Sequence, residues 1–271
     1  LPPIRLVISD VDGTLVRHDK SLSEKNIAAF GRLRAAGIAA TLISARPPSA
    51  WARWTMPLGG PIGAFNGGTL FRRDGTISET ERLAPETVTD VIAVMDRPGV
   101  DIWLFANGLW FARTRDNPHT PREILSAGVQ PTIRPATETP MHDVDKIVGV
   151  SDDTPLLIEV EKQAKTSAGS RATVARSQAY FLDVTAVKAN KGEGITALAR
   201  AYGVPLDEVA VIGDMANDLP MFAKAGLSFA MGQAPDAVKA AADVITASNE
   251  EDGVAVAIDR ILDGGLSSAS S

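Results

Sequence analysis

Four short stretches hold residue types that do chemistry when a fold brings them together. "DVDGT" sets Asp10 and Asp12 one residue apart, directly after the apolar run Leu6, Val7 and Ile8. "GDMAND" sets Asp214, Asn217 and Asp218 after a second apolar run, "VAVI". "TLISAR" places Ser44 at the end of another apolar run, and "KGEG" opens a helical pattern with Lys191. Several carboxylates in one crevice cannot all stay ionised without a cation, since like charges raise each other's pKa. Oxygen donors of this kind suit magnesium, which usually takes one or two carboxylates and several waters beside a substrate phosphate.

The acids can divide the work. Asp10 can attack phosphorus as a carboxylate nucleophile and form an aspartyl-phosphate. Asp12 can protonate the leaving oxygen and later deprotonate the attacking water. In an extended segment, alternate residues face the same side, so both carboxylates would reach one substrate. Gly13 would permit a sharp exit turn. A D-x-D-G pattern alone is an ordinary surface turn with a capping aspartate. The buried strand before it and the matching "GDMAND" argue for chemistry. The Ser44 hydroxyl and the Ala45 amide can bind phosphate oxygens, although Ser44 alone would read as a helix cap before Pro47. Lys191 can neutralise phosphoryl charge as the transition state forms. A lysine at a helix start runs against the dipole, a local conflict that points to function.

These residues need elements that carry them to one place. The pattern predicts a doubly wound α/β fold with a mostly parallel sheet, in which ligands gather at the carboxyl ends of the strands. "IRLVIS" reads as a strand buried on both faces. "SLSEKNIAAFGRLRAAG" reads as a helix with a Ser21/Glu24 capping box, a stripe of Ile27, Phe30 and Leu33, and a stop at Gly37. "IAATLIS" and "PIGAFNG" predict the next two strands. "TLFRRDGTISE" predicts a type I′ hairpin at Asp74-Gly75. From residue 82 to 187 the order becomes α+β. It has a helix in "APETVTDVIAVM", a hairpin at Asn107-Gly108, a Pro-rich stretch, a strand "KIVGV", a helix from about Pro155 to Lys165, and the strands "ATVARS" and "AYFLDV". This block reads as a second domain inserted into the first. The alternation then resumes with helices in "KGEGITALARAYG" and "DLPMFAKAG", the latter closed by Gly226. Residues 1–81 and 188–271 would therefore build one core, and 82–187 an α+β cap.

With these segments in hand, the chain resembles the haloacid-dehalogenase superfamily of phosphohydrolases, and within it the Cof-type branch. "DVDGT", "SAR", "KG" and "GDMAND" match the four motifs in order, and "FNGGTLF" resembles an Asn-Gly segment of that branch. The resemblance implies a Rossmann-like core with the cap inserted between the second and third motifs, setting substrate specificity. It implies Asp10 as nucleophile and magnesium ligand, and Asp12 as general acid/base that binds the metal through its backbone carbonyl. Asp214 would be the third protein ligand, with Asn217 and Asp218 supporting the metal through water or orienting Lys191. Ser44 and Lys191 would hold the phosphoryl group. One departure stands out: Ser44-Ala45-Arg46 replaces the common Thr-Gly-Arg. Serine keeps the hydroxyl, but alanine restricts the backbone more than glycine.

Composition bounds the remaining options. The chain has 271 residues, is 45% hydrophobic and 22% charged, and carries a net charge of −6. That balance argues against nucleic-acid and anionic-membrane partners. The absence of cysteine excludes disulfides, thiolate catalysis and Cys-ligated zinc, and is compatible with a cytoplasmic location. No apolar run approaches the roughly 20 residues that span a bilayer, the start lacks a secretory apolar segment, and the tail "GGLSSASS" is expected to fray. His18, His119 and His142 lack metal-ligand spacing and read as surface or loop residues. Trp51 and Trp54 would pack or line a cleft beside the cap, and Trp103 and Trp110 would pack across a hairpin. Arg72 and Arg73 read as solvated. Arg46 has two readings, a core salt bridge or a substrate contact. The expected function is a magnesium-dependent phosphatase acting on a small phosphorylated metabolite such as a sugar phosphate, as a monomer or homodimer, with the cap closing over the substrate. The same intermediate would serve a phosphomutase or phosphotransferase, and a vestigial core would leave a phosphometabolite-binding regulator.

Overall fold

Leu6, Val7 and Ile8 are completely buried, and they form the first strand of a computed structural model that describes residues 2–53, 58–135, 138 and 140–264. Trp54 and the tail from residue 265 lie outside the described residues. In chain order the elements are β1 (Leu6–Ser9), α1 (Glu24–Ala35), β2 (Ala39–Leu42), β3 (Ile62–Ala64), β4 (Thr69–Phe71), β5 (Ile77–Thr80), α2 (Pro85–Met95), β6 (Asp101–Ala106), β7 (Leu109–Ala112), α3 (Thr120–Ala127) and β8 (Thr132–Ile133). They continue with β9 (Val144–Val150), α4 (Thr154–Ala168), β10 (Ala172–Gln178), β11 (Phe181–Ala186), α5 (Lys191–Tyr202), β12 (Val209–Gly213), α6 (Leu219–Phe222), β13 (Leu227–Ala230), α7 (Asp236–Lys239), β14 (Val244–Ile245) and α8 (Gly253–Leu262). They form two compact units, one from the described residues of 1–45, 54–78 and 190–271, the other from those of 46–53 and 79–189.

The first unit holds a five-stranded sheet in the order β14-β13-β12-β1-β2, parallel at every pairing. Chain order reverses at β1, which has β2 on one side and β12 on the other, so the two strands that end in acids are neighbours. Their register is direct, Leu6 opposite Val209 through Ser9 opposite Ile212. Leu6 and Ile8 pack with Val209, Val211, Ile195 and Leu198 in one apolar cluster. Elsewhere, α1 and α8 are joined by Arg32 to Asp259 at 2.5 Å and by the Ala255 amide donating to Asn26 Oδ1 at 3.0 Å.

Local details differ from the sequence expectations for identifiable reasons. Helix α1 is capped by Ser23, which accepts from the Asn26 amide, and not by a Ser21/Glu24 box. Ser21 is instead drawn into a turn by Asp19 Oδ1. Asn26 joins Phe30 and Leu33 on the buried face, whereas Ile27 is half-buried. The turn at Asp74-Gly75 is not type I′, which needs positive φ at both residues. Only Gly75 is left-handed, and the Gly75 amide closes on the Arg72 carbonyl while Asp74 Oδ1 holds the Thr76 amide. Strand β3 pairs with β4 in a separate three-stranded sheet and meets the main sheet's continuation at an Ile43–Gly63 bridge. Helix α6 is four residues long.

The second unit is a six-stranded sheet ordered β10-β11-β9-β6-β7-β8, backed by apolar residues of α2 and α4. At the β6–β7 turn both Asn107 and Gly108 are left-handed, the I′ geometry. Trp103 and Trp110 are buried edge to face, centroids 4.9 Å apart. The Pro-rich stretch contains an additional helix, α3, which Pro121 starts from its first turn. His119 precedes that helix and is no mere loop residue. Its ring stacks on Tyr180 at 3.8 Å, and Nε2 lies 2.7 Å from Asp152 Oδ1. His18 and His142 are exposed, as are Arg72 and Arg73, and Trp51 is buried.

Candidate active site

The carboxyl edge of the five-stranded sheet collects the acids. The Asp10 amide donates to the Ile212 carbonyl and the Ile43 amide to the Ser9 carbonyl. The chain therefore leaves β1, β2 and β12 at one edge, carrying Asp10, Ser44 and Asp214. Beyond Ser9 the backbone does not stay extended: the amides of Thr14, Leu15 and Val16 all turn onto the Val11 carbonyl. Strand alternation therefore does not fix the direction of Asp12, contrary to the sequence expectation. The Asp12 carboxylate pairs with Lys20 Nζ at 2.8 Å.

Asp10, Asp214 and Asp218 are buried and offer carboxylate oxygens within 4.8 Å of one another. Lys191, 1% exposed, reaches into this group from the first turn of α5. Its Nζ donates to Asp10 Oδ1 at 2.6 Å and to Asp218 Oδ1 at 2.5 Å. Asp218 is the most engaged of the three, because its Oδ2 also accepts the amides of Asp214 and Met215 at 2.8 and 2.9 Å. Asp10 and Asp214 have more lone pairs to offer a cation. Thr14 Oγ1 donates to Asp214 Oδ1 at 2.8 Å. Gly13 is left-handed, and a Cβ there would collide with Asp214 Oδ2, so only glycine admits this carboxylate.

Charge balance follows from the geometry. Burial alone would push the Lys191 ammonium down, but Asp10 and Asp218 together outweigh it and hold it above its ordinary value. Burial, with Asp218 and Asp214 nearby, outweighs Lys191 and raises the Asp10 carboxyl well above the usual range. Burial also lifts Asp214 to about 6, Asp218 adding to the effect while Thr14 opposes it. One ammonium does not neutralise three carboxylates. Oxygen donors with raised proton affinity and too little positive charge are what a hard divalent cation would relieve, so the residues fit one.

Helix α5 owes its place to close packing. A Cβ on Gly192 would lie 2.8 Å from the Pro220 carbonyl oxygen, and one on Gly194 would lie 2.6 Å from Ile43 Cδ1 and 2.8 Å from Gly67 Cα. The glycines of "KGEG" let the helix start press between α6 and the turn at 65–67, which drives Lys191 into the acid cluster. Asn190 caps the helix by accepting the Glu193 amide.

The remaining candidates separate. Ser44 is buried, its amide donating to the Gly63 carbonyl and its carbonyl accepting the Asn66 amide at 2.7 Å. Ala45 is exposed and is not among the residues with positive φ, so alanine costs no strain where the family often has glycine. Asn217 donates to Asn66 Oδ1 at 3.4 Å. Arg46 belongs to the second unit, where it donates to the Ser126 carbonyl at 3.3 Å. Sequence reasoning assigned no role to Thr14, Asn66 or Gln233, whose Nε2 donates to the Gly13 carbonyl. A threonine after a turn glycine or an amide in a loop carries no signal without its distant partner. For Asn66, the segment "FNGGTLF" carries the one sequence signal.

Known proteins resemble this chain along most of its length. Residues 7–258 match the family of haloacid dehalogenase-like hydrolases. An HMP-PP phosphatase of Klebsiella pneumoniae is 28% identical, covering 87% of each chain. A solved haloacid dehalogenase-like hydrolase from Bacteroides thetaiotaomicron superposes with a TM-score of 0.85 at 29% identity, covering 95% of this chain and 99% of that one. A sugar phosphatase of HAD subclass IIB superposes with a TM-score of 0.79 at 25% identity over 94% and 98% of the two chains. With a family match over residues 7–258 and phosphatases among its relatives, this chain belongs to the haloacid dehalogenase-like hydrolases and is an enzyme of their phosphatase group.

Proposed function

We propose that the protein is a magnesium-dependent phosphatase that hydrolyses small phosphorylated metabolites of the sugar-phosphate class through an aspartyl-phosphate. The observation that carries this reading is Lys191 held between Asp10 and Asp218 in a buried cluster completed by Asp214. An Asp10 oxygen attacks phosphorus and forms the acyl-phosphate bond as the ester P–O bond breaks. Asp12 gives its proton to the leaving oxygen. Asp12 then takes a proton from water, whose oxygen attacks phosphorus, releasing phosphate and restoring the Asp10 carboxylate. Lys191, kept charged by its two carboxylate partners, lies against the nucleophile and stabilises charge on the phosphoryl oxygens. The Ser44 hydroxyl and the Ala45 amide are assigned to the same oxygens.

Magnesium, held by Asp10, Asp214 and the backbone carbonyl of Asp12, would supply the positive charge that offsets the surplus acids and the phosphate. The sugar class is supported by the likeness to a subclass IIB sugar phosphatase, and selection among substrates is assigned to the second unit. Asp10→Asn is expected to abolish hydrolysis of p-nitrophenyl phosphate measured with magnesium present. Undiminished turnover would remove Asp10 from the nucleophile role. A panel of phosphorylated sugars, nucleotides and cofactors tests the substrate class, which fails if sugar phosphates rank below the others in kcat/KM.

A further inference from the structure

Resting on that reading, one feature of the first unit goes unused by the chemistry above. Phe65, Asn66 and Gly67 are consecutive left-handed residues, with φ of 49°, 59° and 90°. Glycine takes this conformation freely and asparagine tolerates it, but a phenylalanine does not adopt it without support. Such backbone persists only where its surroundings over-determine it.

Those surroundings are specific. Phe65 is buried at 3% exposure. The Gly68 amide closes the turn on the Phe65 carbonyl at 3.1 Å, and the Asn66 amide donates to the Ser44 carbonyl at 2.7 Å. Gly67 lies so close to α5 that a Cβ on it would collide with Gly194 Cα. From the tip of this turn, Asn66 Oδ1 accepts from Asn217 Nδ2 at 3.4 Å. One residue thus touches the backbone of the Ser44 loop and the side chain of the "GDMAND" loop, while the next residue abuts the helix that presents Lys191.

We infer that Asn66 is a positioning residue for phosphoryl binding: its left-handed turn sets the Ser44 loop and its carboxamide orients Asn217. It acts through those two groups and needs no contact with the reacting atoms.

Asn66→Gly keeps the left-handed backbone and removes the side chain with its carboxamide, so it separates positioning from folding. Loss of one neutral hydrogen bond corresponds to roughly a fivefold effect. We expect Asn66→Gly to raise both the KM for p-nitrophenyl phosphate and the inhibition constant of inorganic phosphate by about that factor, with Tm close to wild type. In an Asn217→Ala background the same change should add little, because the two act as a unit. Asn66→Ala, which keeps a Cβ at a left-handed position but loses the side chain that lets asparagine tolerate it, should lower Tm as well. Effects of Asn66→Gly and Asn217→Ala that multiply independently would overturn the inference. So would an Asn66→Gly enzyme altered in Tm alone. Wild-type protein that turns over no phosphate ester would instead sink the phosphatase reading, so the two failures are distinguishable.

Discussion

At Lys191 two opposing effects meet in one side chain. Taking an ammonium out of water is unfavourable by several kcal/mol, and it is repaid only when partners are close and well aligned. Lys191 meets that condition twice, at 2.6 Å to Asp10 and 2.5 Å to Asp218. Asp218 in turn is fixed by two backbone amides, so the lysine has a rigid anchor on one side and the proposed nucleophile, Asp10, on the other. In the proposed mechanism the same residue serves stability and chemistry. Lys191→Met keeps the length and removes the charge, which leaves buried carboxylates facing one another. The expected loss is about 3–5 kcal/mol of unfolding free energy, read by urea titration, together with loss of phosphatase activity. A Lys191→Met protein as stable as wild type would mean that the acids are protonated without the lysine and that the ion pairs contribute nothing.

Elements show which parts of the sequence could be read and why. Unbroken apolar strands such as β1 and β12 were legible because every residue is buried, and the helices α2 and α4 because their burial pattern repeats over several turns. Turn chemistry was legible only where the residues decide alone. Asn107-Gly108 gives the I′ hairpin, yet the similar Asp74-Gly75 does not, because the Asp74 side chain holds the Thr76 amide instead. The acids of the site were legible from two strand ends, whereas Thr14 and Asn66 were not, since their partners lie far along the chain. Helix α5 offers a test at this scale. Replacing an exposed mid-helix glycine by alanine ordinarily stabilises by roughly 0.5–1 kcal/mol. Gly31 in α1 has nothing within 4 Å of its would-be Cβ, so Gly31→Ala should raise Tm. Gly194→Ala should lower it and impair turnover, because its Cβ would meet Ile43 and Gly67 and push Lys191 out of place. Thermal melts of the two variants moving in the same direction would contradict the packing account.

For the molecule as a whole, the acid cluster exists only in the folded state, since Asp10 and Asp214 come together through the pairing of β1 with β12. In the unfolded chain each keeps an ordinary carboxyl pKa. Folding raises Asp214 from 3.8 to about 6, and Asp10 in the same direction. The folded state therefore holds more protons than the unfolded state between those values, and by linkage its stability falls as pH rises through that window. For Asp214 the rise amounts to a penalty of at most about 3 kcal/mol once both states are ionised. Surface carboxyls with lowered values, such as Asp96 and Asp143, act in the opposite sense, so the comparison must cancel them. Asp214→Asn does so, keeping the size of the side chain and an acceptor for Thr14. Without divalent cation, this variant should gain Tm relative to wild type as pH rises from about 4 to about 7, then hold that lead. On the proposed reading, magnesium would bind the folded state alone and compete with protons for the same oxygens, so it should raise the wild-type Tm more at pH 7.5 than at pH 5 and leave the variant nearly unmoved. Parallel Tm profiles for the two proteins, or equal magnesium responses, would show that Asp214 bears neither the proton nor the metal.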